Sequence, residues 1–254
     1  MLQTEIETTM APAMAQPPAL DLSRTALFLD LDGTLAAIEP TPDAVGPQPR
    51  RNWMLHELSR QLHGRLAVLS GRSIDDIDRI LGETVRSLAG VHGLERRTPQ
   101  GERVDLKPHP DLPAVAGMLQ SFAAGQSGLL LEPKERSLAL HYRGHPPAEA
   151  ACLEIAHRLG AAYGLTVQEG RMVVELRTPG PDKGDALQVF MNDPVFVGAT
   201  PVMVGDDLTD EDAFTAAETL GGFGVLVGDP RPTAARYRLD DPKAVLAWLE
   251  ESIA

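Results

Sequence analysis

The stretch TALFLDLDGTLAAIEP, residues 25–40, sets Asp30 and Asp32 on either side of one leucine and follows them at once with Gly33 and Thr34. At the end of an extended strand, residues i and i+2 point the same way, so the two carboxylates are expected in one pocket. Like charges that close repel, and burying either one unpaired is costly. A cation should sit between them, or one should hold a proton. Gly33 lets the chain turn sharply and frees backbone N–H groups to face an anion. Two carboxylates beside a phosphate call for a hard cation, and Mg²⁺ suits a few carboxylates with phosphate oxygens and water. A carboxylate can also attack phosphorus, while a second protonates the leaving alcohol and then activates water. A plain Asp-Gly surface turn is the alternative reading of the same residues.

Other segments bear on that choice. VGDDLTDED supplies Asp206 and Asp207 directly after Gly205, a second source of carboxylates for the same cation. It lacks the alternating acids and the central glycine of a calcium loop. Acids at a helix start are favourable in themselves, which accounts for Glu211 and Asp212 better than for the pair after Gly205. PGPDKGDAL puts Lys183 at a helix start, where a cation opposes the dipole unless an anion is held there. LSGR offers the Ser70 hydroxyl beside exposed backbone amides. GGFGVLVG carries Val227 where a dinucleotide fingerprint needs glycine, so no such site is expected.

These residues must be positioned by strand ends. ALFLD reads as a buried strand, as do Leu66–Leu69 before Ser70, Val202–Val204 before Gly205, and GFGVLVGD. After the second of these, Ser73 is a helix cap, with Asp75 and Asp76 in the first turn and Ile74, Ile77, Ile80 and Leu81 at helical spacing. Buried strands followed by helices imply a parallel sheet with crossover helices, and ligands bind beyond the carboxyl ends of such strands. Asp30, Ser70 and Asp206 all stand there. From about Leu112 to Arg177 the order changes to helix, strand, strand, helix, strand, strand. The first strand pair turns around Lys134–Arg136 and the second at Glu169-Gly170. This is an α+β insert, hinged at Lys107–Pro110 and at 178–184.

Asp30, Asp32 and Thr34, then Ser70, then Lys183, then Asp206 and Asp207 resemble, in that order, the motifs of the haloacid dehalogenase superfamily of phosphatases. The resemblance implies a Rossmann-like α/β core with an inserted α+β cap of the C2 type. The core would be 23–108 and 179–254, the cap 109–178, and residues 1–22 a mobile tail. It implies Asp30 as nucleophile and Asp32 as general acid/base. The metal would be held by Asp30, the backbone carbonyl of Asp32 and Asp206, with Asp207 in support. Lys183 and Ser70 would hold the phosphoryl group. SGR at 70–72, GVHGLERR at 90–97, EPKERSLALHYR at 132–143, VVELR at 173–177 and GDDLTDEDAF at 205–214 further resemble the trehalose-6-phosphate phosphatases. That implies Mg²⁺ as cofactor and trehalose 6-phosphate as substrate, with Thr34, Gly71 and Arg72 on the core side. On the cap, Glu132, Lys134 and Glu175 would contact the sugar. Strand alternation agrees: Glu132 and Lys134 share a face, and Glu175 lies opposite an apolar set of Met172, Val174 and Leu176. Without the resemblance, a solvated charged face explains these three equally well. His92, Arg96, His141 and Arg143 are either cleft residues or structural ones.

Bulk properties bound the rest. The chain has 254 residues, 43% hydrophobic, and a formal net charge of -13. That charge argues against nucleic-acid and anionic-membrane partners, and leaves a small-molecule substrate drawn in by local cations or a metal. No apolar run is long enough for a membrane span, and the first twenty residues lack a basic start and a sustained apolar middle. The single cysteine, Cys152, fits a cytoplasmic protein and a small core residue. A monomer is expected. Two rival functions remain at this stage: a phosphatase of the same superfamily acting on sucrose phosphate or a glycosyl phosphoglycerate, and a non-catalytic sugar-phosphate sensor.

Overall fold

The structure is a computed structural model and describes residues 14–170 and 172–253. It runs β1 (Thr25–Leu29), α1 (Pro49–Gln61), β2 (Leu66–Leu69), α2 (Ile74–Leu81), β3 (Ser87–Gly90), β4 (Glu95–Arg97) and β5 (Arg103–Asp105). Then come α3 (Leu112–Ala124), β6 (Leu130–Pro133), β7 (Ser137–His141), α4 (Glu149–Tyr163), β8 (Thr166–Gly170) and β9 (Val173–Arg177). The chain closes with α5 (Lys183–Met191), β10 (Thr200–Gly205), α6 (Glu211–Thr219), β11 (Phe223–Val227), β12 (Tyr237–Leu239) and α7 (Pro242–Ile253).

The larger sheet has the order β12-β11-β10-β1-β2-β3-β4-β5. It is parallel from β12 to β3, and β4 and β5 extend it antiparallel. Successive residues of β1 feed two cores. Leu27 and Leu29 pack with Met54, Leu55 and Leu58 of α1 and Trp248 of α7. Ala26 and Phe28 pack with Leu187 and Phe190 of α5 and Phe214 of α6. Both faces are covered, which is why these strands read as unbroken apolar runs. α2 begins as its sequence dictates, with the Ser73 side chain accepting the Asp76 N–H, and stops at Gly82 with φ 65.

The smaller sheet is antiparallel, in the order β6-β7-β9-β8. Leu138, Leu140, Val174 and Leu176 form its apolar face, against Val115 and Leu119 of α3 and Cys152 and Ala156 of α4. Its other face looks toward the carboxyl ends of the parallel strands. Cys152 is fully buried in this second core.

Three local expectations change. The β8–β9 turn falls later than Glu169-Gly170: Gly170 still pairs with Val173, and Met172 takes the positive φ of 62. Met172 therefore leaves the apolar row and is 36% exposed. Residues 14–22 are not a free tail, because Leu20 enters the core, the Pro18 carbonyl accepts the Trp248 indole N–H at 2.9 Å, and Ala15 accepts the Arg238 N–H at 3.0 Å. Residues 1–13 of the expected tail lie outside the described residues. Finally, β4 and β5 have no counterpart in the sequence reading, because three-residue strands of mostly charged residues carry no hydrophobic period. Among the described residues no helix is long and apolar enough to cross a membrane.

One buried ion pair joins the two sheets. Arg136, in the β6–β7 turn, donates to Glu95 of β4 at 2.6 Å and to the Leu106 carbonyl at 2.6 Å. Its own carbonyl accepts the Thr178 hydroxyl, which in turn accepts the His109 N–H at 3.0 Å, so both connections to the insert are tied at this point. Glu95 and Arg136 are 2% and 6% exposed. Removing one partner strands a buried charge, so Arg136→Ala is expected to cost about 3–5 kcal/mol in urea unfolding, and adding Glu95→Leu should recover part of it. An Arg136→Ala protein as stable as wild type would show that the pair does not hold the two parts together.

Candidate active site

β1 ends at Leu29, and Asp30 follows with its N–H on the Val204 carbonyl of β10 at 2.9 Å. The side chain therefore projects from the carboxyl edge between neighbouring parallel strands, and Asp30 is 4% exposed. Lys183 opens α5, whose cap is Asp182 in a reciprocal box with Asp185. Its ammonium lies 2.7 Å from Asp30 Oδ1 and 2.6 Å from Asp210 Oδ1. The anion that a lysine at a helix start requires is thus supplied by the protein itself.

Asp30, Asp206 and Asp210 each present an oxygen within 4.8 Å of the others. With all three ionised, one ammonium would leave two negative charges uncompensated. Burial raises the Asp30 carboxyl well above the usual carboxylate range; Lys183 opposes this, while Asp210 and Asp206 add to it. Asp206 is pushed up to about 7 by burial and by Asp210 and Asp207. Lys183 is shifted upward, because the pull of Asp210 and Asp30 outweighs its burial. An all-oxygen donor set with surplus negative charge fits a hard divalent cation such as Mg²⁺.

Asp210 is the member that the sequence reading missed. Its Oδ2 accepts the N–H groups of Asp206 and Asp207 at 3.0 and 3.1 Å, so it also shapes the turn after β10. The available signal was its position four residues after Asp206, a spacing that returns to the same side of a helical turn. Asp207, assigned to the metal from sequence, lies outside this group: its side chain caps the turn through the Leu208 N–H at 2.6 Å. Gly33 has φ 84 and backs directly onto Asp206, where a β-carbon would fall 2.1 Å from Oδ2, so only glycine fits. Thr34 Oγ1 reaches Asp206 Oδ1 at 3.5 Å.

The Asp30 and Asp32 side chains pair with different protein cations. Asp32 leaves the strand line in the turn that bridges to Ala36, and both its oxygens are forked by Arg72, at 2.6 and 2.7 Å. The opening pair thus solves its repulsion with two cations, Lys183 on the buried acid and Arg72 on the half-exposed one. Ser70 stands at the end of β2, 1% exposed, its hydroxyl accepting the Arg72 N–H at 3.2 Å. Gly71 lies against the His92 ring, 2.8 Å from where its β-carbon would be.

On the insert, Glu175 accepts from the Ser137 hydroxyl, and Lys134 lies 3.4 Å away. His92, from the core, approaches the other Glu175 oxygen at 3.6 Å. Burial works against the Glu175 charge, but His92 and Lys134 outweigh it and hold its carboxyl below the usual range. Glu132 meets His141 at 2.8 Å, which lowers the Glu132 carboxyl. So Lys134 and Glu175 come together, Glu132 takes a separate partner, and His92 is the core residue that touches this face. Arg143 is exposed and Arg96 lies within β4.

The trehalose-phosphatase family model matches residues 28–243. A trehalose-6-phosphate phosphatase of Escherichia coli (strain K12) is 38% identical over 244 residues, 95% of this chain and 91% of that protein. A probable trehalose-phosphate phosphatase of Sinorhizobium fredii is 36% identical over 218 residues, 84% of this chain and 82% of that one. In fold, the chain is similar to the C-terminal domain of the C. albicans trehalose-6-phosphate phosphatase, with a TM-score of 0.81 at 22% identity, covering 93% of this chain and 98% of that one.

Proposed function

Because the chain belongs to the trehalose-phosphatase family of the haloacid dehalogenase superfamily and is a phosphoric monoester hydrolase, we propose that it converts trehalose 6-phosphate and water to trehalose and phosphate, with Mg²⁺, through a phosphoryl-Asp30 intermediate. The observation that carries this is the buried Asp30–Lys183–Asp210 cluster, with Asp206 beside it, beneath a sheet face that presents Glu132, Lys134 and Glu175.

A carboxylate oxygen of Asp30 attacks phosphorus, and the bond to the sugar O6 breaks. Asp32 gives that oxygen its proton, and the sugar leaves as the alcohol. Asp32 then takes a proton from water, whose oxygen attacks phosphorus, releases phosphate and restores the Asp30 carboxylate. Lys183 and the Ser70 hydroxyl hold the phosphoryl oxygens, with backbone N–H groups of the Gly33 and Gly71 turns. Asp30, Asp206, Asp210 and the Asp32 carbonyl are the groups that would hold Mg²⁺, and the ion supplies charge neutralisation for the transferring phosphoryl group. Arg72 has to loosen its fork on Asp32 for the acid to reach O6, and an incoming phosphate offers Arg72 a competing anion. The buried lone Cys152 supports a reducing, cytoplasmic setting.

The test is phosphate release from a panel of sugar phosphates, with and without Mg²⁺. Trehalose 6-phosphate should be preferred over sucrose phosphate and glycosyl phosphoglycerate. Glu132→Gln, Lys134→Ala and Glu175→Gln should each lower kcat/KM for it about thirty- to several-hundred-fold, as expected when a charged hydrogen-bond partner enclosed by the bound sugar is lost at roughly 2–4 kcal/mol. An aryl phosphate does not span the cleft, so its loss should be at least tenfold smaller. Equal losses on both esters would assign these residues to folding or to the core site. No phosphate released from any ester would leave only a sensor.

A further inference from the structure

Glu211 reads from sequence as an acid at a helix start, and the loop GDPRPTA at 228–234 carries no motif. The fold brings the two together beside the carboxylate group. β11 lies parallel to β10, with Leu226 opposite Gly205, so the loop that leaves β11 stands next to the turn that leaves β10. Pro230 and Pro232 flank Arg231 in that loop. Each proline fixes its own φ and keeps the residue before it extended, so the backbone that presents Arg231 has little freedom.

Arg231 Nη2 donates to the Asp207 carbonyl at 2.8 Å and, more weakly, to the Asp206 carbonyl at 3.4 Å. Its Nη1 donates to Glu211 at the start of α6. Glu211 is held in turn by the same loop, accepting the Thr233 hydroxyl at 2.9 Å and the Ala234 N–H at 2.7 Å. The N–H groups of Asp206 and Asp207 are already taken by Asp210, which is fully buried. Both edges of this two-residue turn are therefore fixed, the N–H groups from within and the carbonyls from the solvent side. The same turn aims the Asp206 carboxylate, which backs onto Gly33.

A cation at this place can act in two opposite ways. As a charge, Arg231 would repel a divalent ion and weaken its binding. As a clamp, it would strengthen binding by keeping Asp206 in place. Glu211 neutralises Arg231 by direct contact, and among the described residues Arg231 forms an ion pair with no other acid. The two side chains are 22% and 25% exposed, so water and salt screen what charge remains. The clamp should outweigh the charge.

We propose that Arg231 is a positioning residue for Mg²⁺ binding: anchored by Glu211, it fixes the Asp206–Asp207 turn and so the direction of the Asp206 carboxylate. The inference rests on the assignment of Mg²⁺ to the Asp30, Asp206 and Asp210 group.

The test is urea unfolding over a range of Mg²⁺ concentrations, without substrate. Each protein is compared with itself in the absence of the ion, so a general loss of stability does not move the result. The dissociation constant follows from the dependence of the added stability on Mg²⁺ concentration. Arg231→Met should raise that constant about five- to thirtyfold, somewhat less than the roughly 10–100-fold of enclosed groups that orient a metal ligand. Arg231→Lys keeps the charge but cannot reach carbonyl and acid with one planar fork, so it should fall between Arg231→Met and wild type. Glu211→Gln should weaken binding in the same direction, and combining it with Arg231→Met should cost no more than Arg231→Met alone. Turnover lost at low Mg²⁺ should return at saturating Mg²⁺. Should Arg231→Met not fold, Arg231→Lys and Glu211→Gln carry the same comparison. An unchanged or tighter constant in the variants overturns the clamp and leaves the Mg²⁺ reading intact. Arg231→Lys equal to wild type also overturns it, because charge alone would then suffice. Wild type without any Mg²⁺-dependent stabilisation overturns the clamp and the metal assignment together.

Discussion

Asp30→Asn is expected to lower turnover of trehalose 6-phosphate by about 10⁴-fold or more while the fold survives. The amide keeps the carboxylate's volume in a site that is 4% exposed, so packing changes little. Lys183 loses its 2.7 Å partner but keeps Asp210 at 2.6 Å, so its charge stays paired. What disappears is the attacking oxygen and one charge of the three-carboxylate group. Such a loss corresponds to about 5 kcal/mol of transition-state stabilisation, more than any hydrogen bond at the site supplies. Acid-quenched wild type mixed with substrate should show a phosphoryl adduct by intact mass, with the label on Asp30 after digestion, and the variant should show none. Retained turnover in a folded Asp30→Asn protein would falsify the covalent mechanism.

Removal of divalent metal is expected to be nearly as severe. The substrate phosphate must approach three carboxylates, Asp30, Asp206 and Asp210, that are set against the single ammonium of Lys183. At about 4 Å and an effective dielectric near 20, each such charge pair costs roughly 4 kcal/mol. Lys183 is already engaged by two carboxylates and cannot cancel the remainder. The overall charge of -13 gives no long-range help. Dialysis against EDTA should therefore reduce phosphate release below about a hundredth, and Mg²⁺ should restore it. Mg²⁺ alone, at about a hundred times its dissociation constant, should stabilise the protein to unfolding by about 2.7 kcal/mol, a reading that needs no turnover. Asp210→Asn should raise the Mg²⁺ concentration needed for half-restoration about 10–100-fold, as loss of a supporting carboxylate does elsewhere. Full activity in metal-free protein, or Mg²⁺ requirements unchanged in Asp210→Asn, would remove the ion from this carboxylate group.

Much of the scaffold was legible because it depends on local pattern. Leu66–Leu69 and Val202–Val204 are apolar on both faces because helices cover both, and such runs stand out in any window. The Ser73 cap, the following acids and the four buried positions of α2 are all set within one helix and were read directly. The insert's order of helices and strands followed from its change of period. The reading weakened where a residue's role depends on a distant segment. Leu20 and Pro18 looked like tail residues, because nothing beside them in sequence shows that Trp248 and Ser252 of α7 will meet them. Glu95 and Arg136 stood in quoted motifs with no role assigned to either, and only the docking of the insert buries them against each other.

The sequence by itself determined the strand ends, the helix starts and the residue types placed there: Asp30, Ser70, Lys183 and Asp206 each sit at a boundary that local hydrophobic period and capping chemistry define. It did not determine how those groups pair. Whether Asp30 and Asp32 share a cation, or take Lys183 and Arg72 separately, depends on which strands are neighbours and on the turn at Gly33. Whether Asp207 or Asp210 joins the buried carboxylates depends on how the chain coils after β10. The partners come from residues as far apart as 30 and 183, and electrostatic and hydrogen-bond energies fall off over a few ångströms in space, without regard to distance along the chain. Local pattern can place a charge at the site, but only the packed fold decides which charge it meets.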